Sequence, residues 1–317
     1  MRTRQLMRRT ILFLIAAWAA LASPLGGWST PVARAADAPP YHLVVLGDPH
    51  LPGKFLPAKE RVLQTINAWA YLDAVVVLGD ICEDAGTAVE YAAAKQFFAT
   101  LTKPVFFIAG NHDYFYEDAK NAQGRRVRGS PGSRSAKLAR FRETFGVAEV
   151  YSSRRLDSYL LIFLSTDHLF SNHLAEMSDR QLGWLRAELS KNGGVPTAIF
   201  FHAPLKGTLL DYNERTNTDG FVAQPQAELR ELLLKNPQVF LWVAGHLHVS
   251  ATNESFRSDV NLYEQQVTTI HATDMNRERI WTNSLFFYPD RVVVKTFDHK
   301  AGAWMESLER TVRPARN

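Results

Sequence analysis

The sequence predicts an α/β fold, and two observations predict it. Strand-like runs rich in Val, Ile, Leu and Phe alternate with segments of helical period. The runs are apolar throughout instead of alternating with polar residues, as central strands covered on both faces require.

In chain order the strand-like runs are YHLVVLG (41–47), DAVVVLG (73–79), KPVFFIAG (103–110), SYLLIFLS (158–165), PTAIFFH (196–202) and QVFLWVAG (238–245). Helical period occupies 58–71, 87–101, 136–145, 178–189 and 224–234 between them. Ser178 followed by Asp179, Arg180 and Gln181 reads as an N-cap with a capping box. Beyond about residue 255 strands follow without helices: QQVTTIHA, RIWTNSLFFYP and RVVVKTFDH, the last two joined by a hairpin turn at Tyr288, Pro289 and Asp290. The chain lacks internal repeats and clean linkers, so residues 36–317 are expected to form one domain.

Residues 1–35 read as an export signal. Arg2, Arg4, Arg8 and Arg9 precede the apolar run Ile11 to Ala22, and a Pro/Gly break leads to an A-x-A site at Ala33 and Ala35. As a helix that run reaches only about 18 Å, short of a ~30 Å bilayer core, which favours cleavage over a retained anchor. Arg8 and Arg9 permit either general or twin-arginine export. The expected location is periplasmic or secreted, with no transmembrane segment in the mature chain. The signal takes five arginines from the 36 basic residues, leaving 31 against 32 acids, so the pI near 9.1 belongs to the leader and implies no nucleic-acid partner. Cys82 is the only cysteine, which excludes an intramolecular disulfide.

The chemistry is concentrated where the strands stop. VVLGDPH, VVVLGD, FFIAGNHD and WVAGHLH each run into glycine and then directly into Asp, Asn or His, and AIFFHAP runs into His202. Ligands of open α/β sheets gather at the carboxyl ends of the strands, so these five ends can converge. Taken singly, each is compatible with an ordinary turn or a satisfied core histidine. Together they collect Asp48, His50, Asp80, Asn111, His112, Asp113, His202, His246 and His248, with the first three motifs about 31 residues apart as βαβ units require. This oxygen and nitrogen set, without thiolate, suits Zn, Mn or Fe. It holds more donors than one metal needs, and two metals bridged by a carboxylate would use them.

On these five motifs, in this order, the chain from Tyr41 to about Arg291 resembles the calcineurin-like metallophosphoesterases. The resemblance implies a four-layer α/β/β/α sandwich with two mixed β-sheets and a dinuclear metal centre at one sheet end. It implies that Asp48, His50 and His248 hold one metal, that Asn111, His202 and His246 hold the other, and that Asp80 bridges them. His112 would be the catalytic acid and Asp113 the carboxylate that orients it. The implied reaction is attack of a metal-bridging hydroxide on a small-molecule phosphoester, with proton delivery to the leaving alkoxide.

Subfamily departures narrow the substrate. Asp84 and Asp113 stand where the protein Ser/Thr phosphatases have Arg and Glu, and Glu83 and His50 depart from the purple acid phosphatases. The remaining likeness is to the bacterial cyclic-nucleotide and glycerophosphodiester phosphodiesterases, where Glu90 and Tyr91 after the second motif are familiar. A broad phosphomonoesterase and a non-catalytic binding module of the same fold stay open as alternatives. The segment 120–142, with eight basic residues and no acid, reads either as a lid or wall for anionic substrate or as a solvated insertion.

Overall fold

Val44, Val45 and Leu46 in β1 (Tyr41–Leu46), like Val75, Val76 and Val77 in β2 (Ala74–Leu78), are sealed from water on both faces of a sheet. The structure, a computed structural model, describes residues 39–315. The export segment read in residues 1–35 therefore lies outside the described residues.

The first sheet continues with β3 (Val105–Ile108), and β1, β2 and β3 run parallel. β10 (Trp281–Tyr288) pairs antiparallel with β1, and β11 (Arg291–Asp298), β12 (Ala303–Trp304) and β13 (Arg310–Val312) extend that edge. The second sheet has the order β4 (Ser152–Leu156), β5 (Tyr159–Phe163), β6 (Thr197–Phe200), β7 (Val239–Ala244), β9 (Val267–His271) and β8 (Leu262–Tyr263). Within it β5, β6, β7 and β9 are parallel and the two edge strands antiparallel. Both sheets are therefore mixed, and the hairpin turns at Pro289 and Asp290, where Tyr288 faces Arg291.

The described residues also form six α-helices: α1 (Leu56–Ala68), α2 (Ala88–Phe98), the single turn α3 (Asn111–Tyr114), α4 (Pro131–Phe145), α5 (Asp179–Lys191) and α6 (Gln226–Lys235). Leu43, Val45, Val76 and Leu78 of the first sheet meet Leu161, Phe163, Phe200 and Val243 of the second in a dry central core. The opposite face of the first sheet packs on Val62, Ile66, Tyr91 and Phe141 from α1, α2 and α4. The outer face of the second sheet packs on Leu182, Leu185, Leu229 and Leu233 from α5 and α6. The result is the four-layer α/β/β/α sandwich. No helix among the described residues is long and apolar enough to cross a membrane.

Two local readings change. Ser178 does cap α5 by accepting from Gln181 N, but the reciprocal half of the box is absent: the Gln181 amide turns inward to Ser165 O and Asp167. A full capping box forms instead at Thr87 and Glu90. α4 starts five residues before the expected 136, because Ser130 caps Ser133 N and Pro131 occupies the first turn, where its missing N–H costs nothing.

Buried imidazoles give the fold an acid limit. Burial lowers His42 and His299 to about 4 and His271 to about 3. The unfolded chain then binds more protons between pH 6.5 and about 4, so stability falls as pH falls through that window, by about 1.4 kcal/mol per unit for each such group. His42→Gln should flatten the drop in melting temperature between pH 7 and 5. Parallel shifts of variant and parent would refute this contribution.

Candidate metal centre

The strand ends deliver their side chains to one place. Asp48 and His50 follow β1, Asp80 follows β2, Asn111 to Asp113 open α3 after β3, His202 follows β6, and His246 and His248 follow β7. Asp48, His50, Asp80, His246 and His248 all have positive φ, between 44° and 67°, and make up half of the ten described non-glycine residues that do. Left-handed backbone at such residues costs about 1–3 kcal/mol each and persists where the surroundings enforce it, typically at functional sites. Gly79, at φ 85°, is required: a Cβ there would lie 2.6 Å from Gly110 N and 2.8 Å from His202 Nδ1. At Gly245 a Cβ would overlap the Asp48 carboxylate.

Two donor groups result. Asp48, His50, Asp80 and His248 form one, Asp80, His202 and His246 the other, and in each the ligand atoms lie within 4.8 Å of one another. Asp80 belongs to both. His50 Nε2 is 3.2 Å from His248 Nε2, and His248 Nε2 is 3.5 Å from Asp48 Oδ1. In the second group His202 Nε2 lies 3.3 Å from Asp80 Oδ1 and 3.1 Å from Asn111 Oδ1, which adds the amide oxygen to that set. His202 Nδ1 is 2.7 Å from Leu78 O, a pure acceptor, so it carries the proton and leaves the Nε2 lone pair facing inward.

Whether a metal fits is decided by His246. Both of its ring nitrogens are buried without a hydrogen-bond partner among the described residues, an arrangement a neutral polar core avoids. A cation among Asp80, Asn111, His202 and His246 would give one of these nitrogens a partner, and the donors are of the type that binds divalent first-row metals.

Charge points the same way. Burial opposes charge on His202 and His248, yet carboxylates overcome it: Asp80 and Asp48 raise His202 to about 9, while Asp48, Asp274 and Asp80 raise His248 to about 9. Burial dominates at His50, lowered to about 4, and drives His246 well below its ordinary value. Burial pushes the Asp48 carboxyl up. At Asp80 it is outweighed by His202 and His112, which hold the carboxyl well below its ordinary range. The carboxylates thus favour positive charge at His202 and His248, while burial keeps His50 and His246 neutral.

His112 stands beside both groups without belonging to either. Its Nδ1 is 2.7 Å from Glu83 O, so Nδ1 donates to that carbonyl and Nε2 is turned inward, 3.8 Å from Asp80 Oδ2. Burial lowers His112 to about 4 against the opposing pull of Asp80. The expected orienting contact from Asp113 is not formed. Its carboxylate accepts from Cys82 N at 2.9 Å and Gly110 N at 2.7 Å, tying the second and third motif loops together. The Glu83 carbonyl orients the imidazole in its place.

Two supporting residues escape the sequence reading. Asp274, just past the end of β9, approaches His248 Nδ1 at 3.9 Å and is itself held by Arg277, which also donates to His248 O. β9 runs parallel to β7, so its end reaches the same edge, and that topology was the available signal. Lys59 is fully buried and donates from Nζ to His50 O at 2.8 Å. Its signal was weak: a lysine in the apolar stripe of α1 beside Val62, Leu63 and Ile66.

The basic segment divides in two. Arg134 and Lys137 turn inward from α4: Arg134 Nη1 donates to His168 O, Leu169 O and Ser171 O, and Lys137 Nζ to Ala85 O and Tyr116 O. Residues 117–128 form an exposed arm over the second motif, closed by a bridge between Tyr116 and Arg128. The Asp84 carboxylate pins the arm through Arg126 and, at 2.7 Å, through Lys120.

A two-sheet sandwich with carboxylate, amide and imidazole donors converging at its strand ends defines a metal-dependent hydrolase of phosphoric esters. The chain belongs to the calcineurin-like phosphoesterase family, whose model matches residues 41–250. It is similar to a glycerophosphodiester phosphodiesterase of Enterobacter lignolyticus, 30% identical over 136 residues, although the match spans only 42% of each chain. It is 27% identical over 285 residues to a cAMP/cGMP dual specificity phosphodiesterase of Mycobacterium tuberculosis, covering 82% of this chain and 80% of that one. The fold matches a dimetal phosphatase from Danio rerio with a TM-score of 0.57 at 14% identity, over 88% of this chain and 100% of that one.

Proposed function

We propose that the protein is an exported phosphodiesterase with two metal ions, Mn, Fe or Zn, sharing Asp80. The observation that carries this reading is the pair of donor groups meeting at one carboxylate, with the inward nitrogen of His112 3.8 Å from that carboxylate's other oxygen. Bound metals would supply charge neutralisation for the phosphoryl oxygens and an acidified water.

The chain's own residues do the rest. Asp80 Oδ1 accepts from His112 N at 2.8 Å, so the carboxylate common to both donor groups and the acid are positioned by one contact. Water supplies the incoming oxygen, the bond from phosphorus to the alcohol breaks, and His112 Nε2 passes a proton to the departing oxygen. An anionic ester beside His112 favours its imidazolium form, offsetting the burial that lowers it. Alkyl alkoxides leave poorly, so such proton transfer matters most for natural diesters.

Relatives named as phosphodiesterases support the diester over the monoester. The leader pattern of residues 1–35 supports export, which would bring the enzyme to glycerophosphodiesters, phospholipid head-groups and extracellular nucleotides. Paired assays on bis-(p-nitrophenyl) phosphate and p-nitrophenyl phosphate test the first point, and a kcat/KM larger on the monoester would overturn it. Fractionation with N-terminal sequencing tests the second; a cytoplasmic chain retaining Arg2 would refute export.

A further inference from the structure

We propose that Arg126 selects leaving alcohols that carry a second anionic group, a carboxylate or a phosphate, and so sets the substrate class of the site. This rests on the phosphodiesterase reading above.

The placement is read outward from the acid. The alcohol departs where His112 Nε2 can reach its oxygen. The His112 ring meets the Tyr116 ring edge to face at 5.6 Å, and the guanidinium of Arg126 lies 5.5 Å from the centre of that same Tyr116 ring. A leaving group protonated by His112 therefore runs along Tyr116 toward Arg126. The two groups share one anchor, because the Glu83 carbonyl that fixes His112 is followed directly by Asp84, which fixes Arg126.

Arg126 has binding capacity to spare. Only its Nε is engaged, by Asp84, and among the described residues neither Nη has a hydrogen-bond partner. The other Asp84 oxygen is already occupied by Lys120, so two cations share one carboxylate and the arm keeps a surplus positive charge. The neighbouring acids face elsewhere: Asp118 pairs with Lys137, while Glu117 accepts from Ser130 N and Glu83 from Gly53 N, and none of the three is hydrogen-bonded to Arg126. A planar fork with two free donors fits a carboxylate or phosphate in two-pronged fashion, and Tyr116 supplies an apolar floor for the intervening atoms. A tether needing only the contact to Asp84 would be served by Lys120 alone.

The test uses the metal-loaded protein and two matched diesters, methyl 3-carboxyphenyl phosphate and its neutral 3-carbamoylphenyl isostere. The parent should favour the carboxylate ester. Arg126→Gln, at an exposed position that should not disturb folding, should lower kcat/KM on it about threefold to tenfold, mostly through KM, and change the carbamoyl ester by less than about twofold. The parent's preference should also shrink as salt rises. An equal loss on both esters would mean that Arg126 only shapes the arm, and no loss on either would mean that it meets no substrate; each overturns the inference while leaving diester hydrolysis intact. Failure of the parent on both diesters, with turnover of a monoester, would instead remove the phosphodiesterase reading and this inference with it.

Discussion

Asp80→Asn should strip the metal centre as a whole. Asp80 is the one residue common to both donor groups, and it is buried with Oδ1 3.3 Å from His202 Nε2. Asparagine keeps the shape and tolerates the left-handed backbone at φ 48°, so loss of fold is not the expected cause of any defect. What is lost is the charge that, in the proposed two-metal centre, would let two cations sit side by side. Metal analysis should fall from two ions per chain to fewer than one. Loss of several kcal/mol of charge stabilisation, at about 1.4 kcal/mol per decade, should lower kcat/KM by ~10³-fold or more. A variant that keeps both ions would show that Asp80 is not shared.

His112→Ala should give the opposite signature. Its ring is outside both donor groups, so both metals should stay. Turnover of diesters with alkyl leaving groups should fall about 10²- to 10⁴-fold, the usual worth of a positioned acid. The nitrophenyl ester, whose leaving group needs little protonation, should lose far less. Equal losses on both substrates would sink the acid role and leave His112 a positioning residue.

The central strands were legible because burial on both faces leaves an unbroken apolar run, and β1, β2 and β7 are each almost wholly sealed. The edges were not. β4 is SSRRL, with Arg154 and Arg155 in water, and its pairing with β5 is set by the neighbour, not by its own composition. β8 and β12 have two residues each, too few to show a period.

The site follows the same logic. Donors at strand ends announce themselves by residue type, so all seven proposed ligands could be read before their geometry was known. The orientation of His112 could not, because it depends on a backbone carbonyl, which every residue has. The role that the resemblance implied for Asp113 departs from the geometry: His112 and Asp113 are neighbours in α3, and successive residues of a helix point away from each other. Asp113 faces the loops behind the site for that reason.

The division of donors between the two sheets has a mechanical consequence. Asp48, His50, Asp80 and Asn111 hang from the first sheet, and His202, His246 and His248 from the second, so each donor group spans the seam. Ions held there would act as rivets through two plates, joining chain segments as far apart as residues 48 and 248 at one rim of the sandwich. At the opposite rim no such donors meet among the described residues, and the plates are joined by packing and a hydrogen bond where Tyr159 of one sheet meets Phe287 of the other and donates from its hydroxyl to Tyr288 O at 2.7 Å. Chelation should then let the riveted rim gape while the far rim stays shut, and amide exchange should quicken first in the loops that also carry the chemistry.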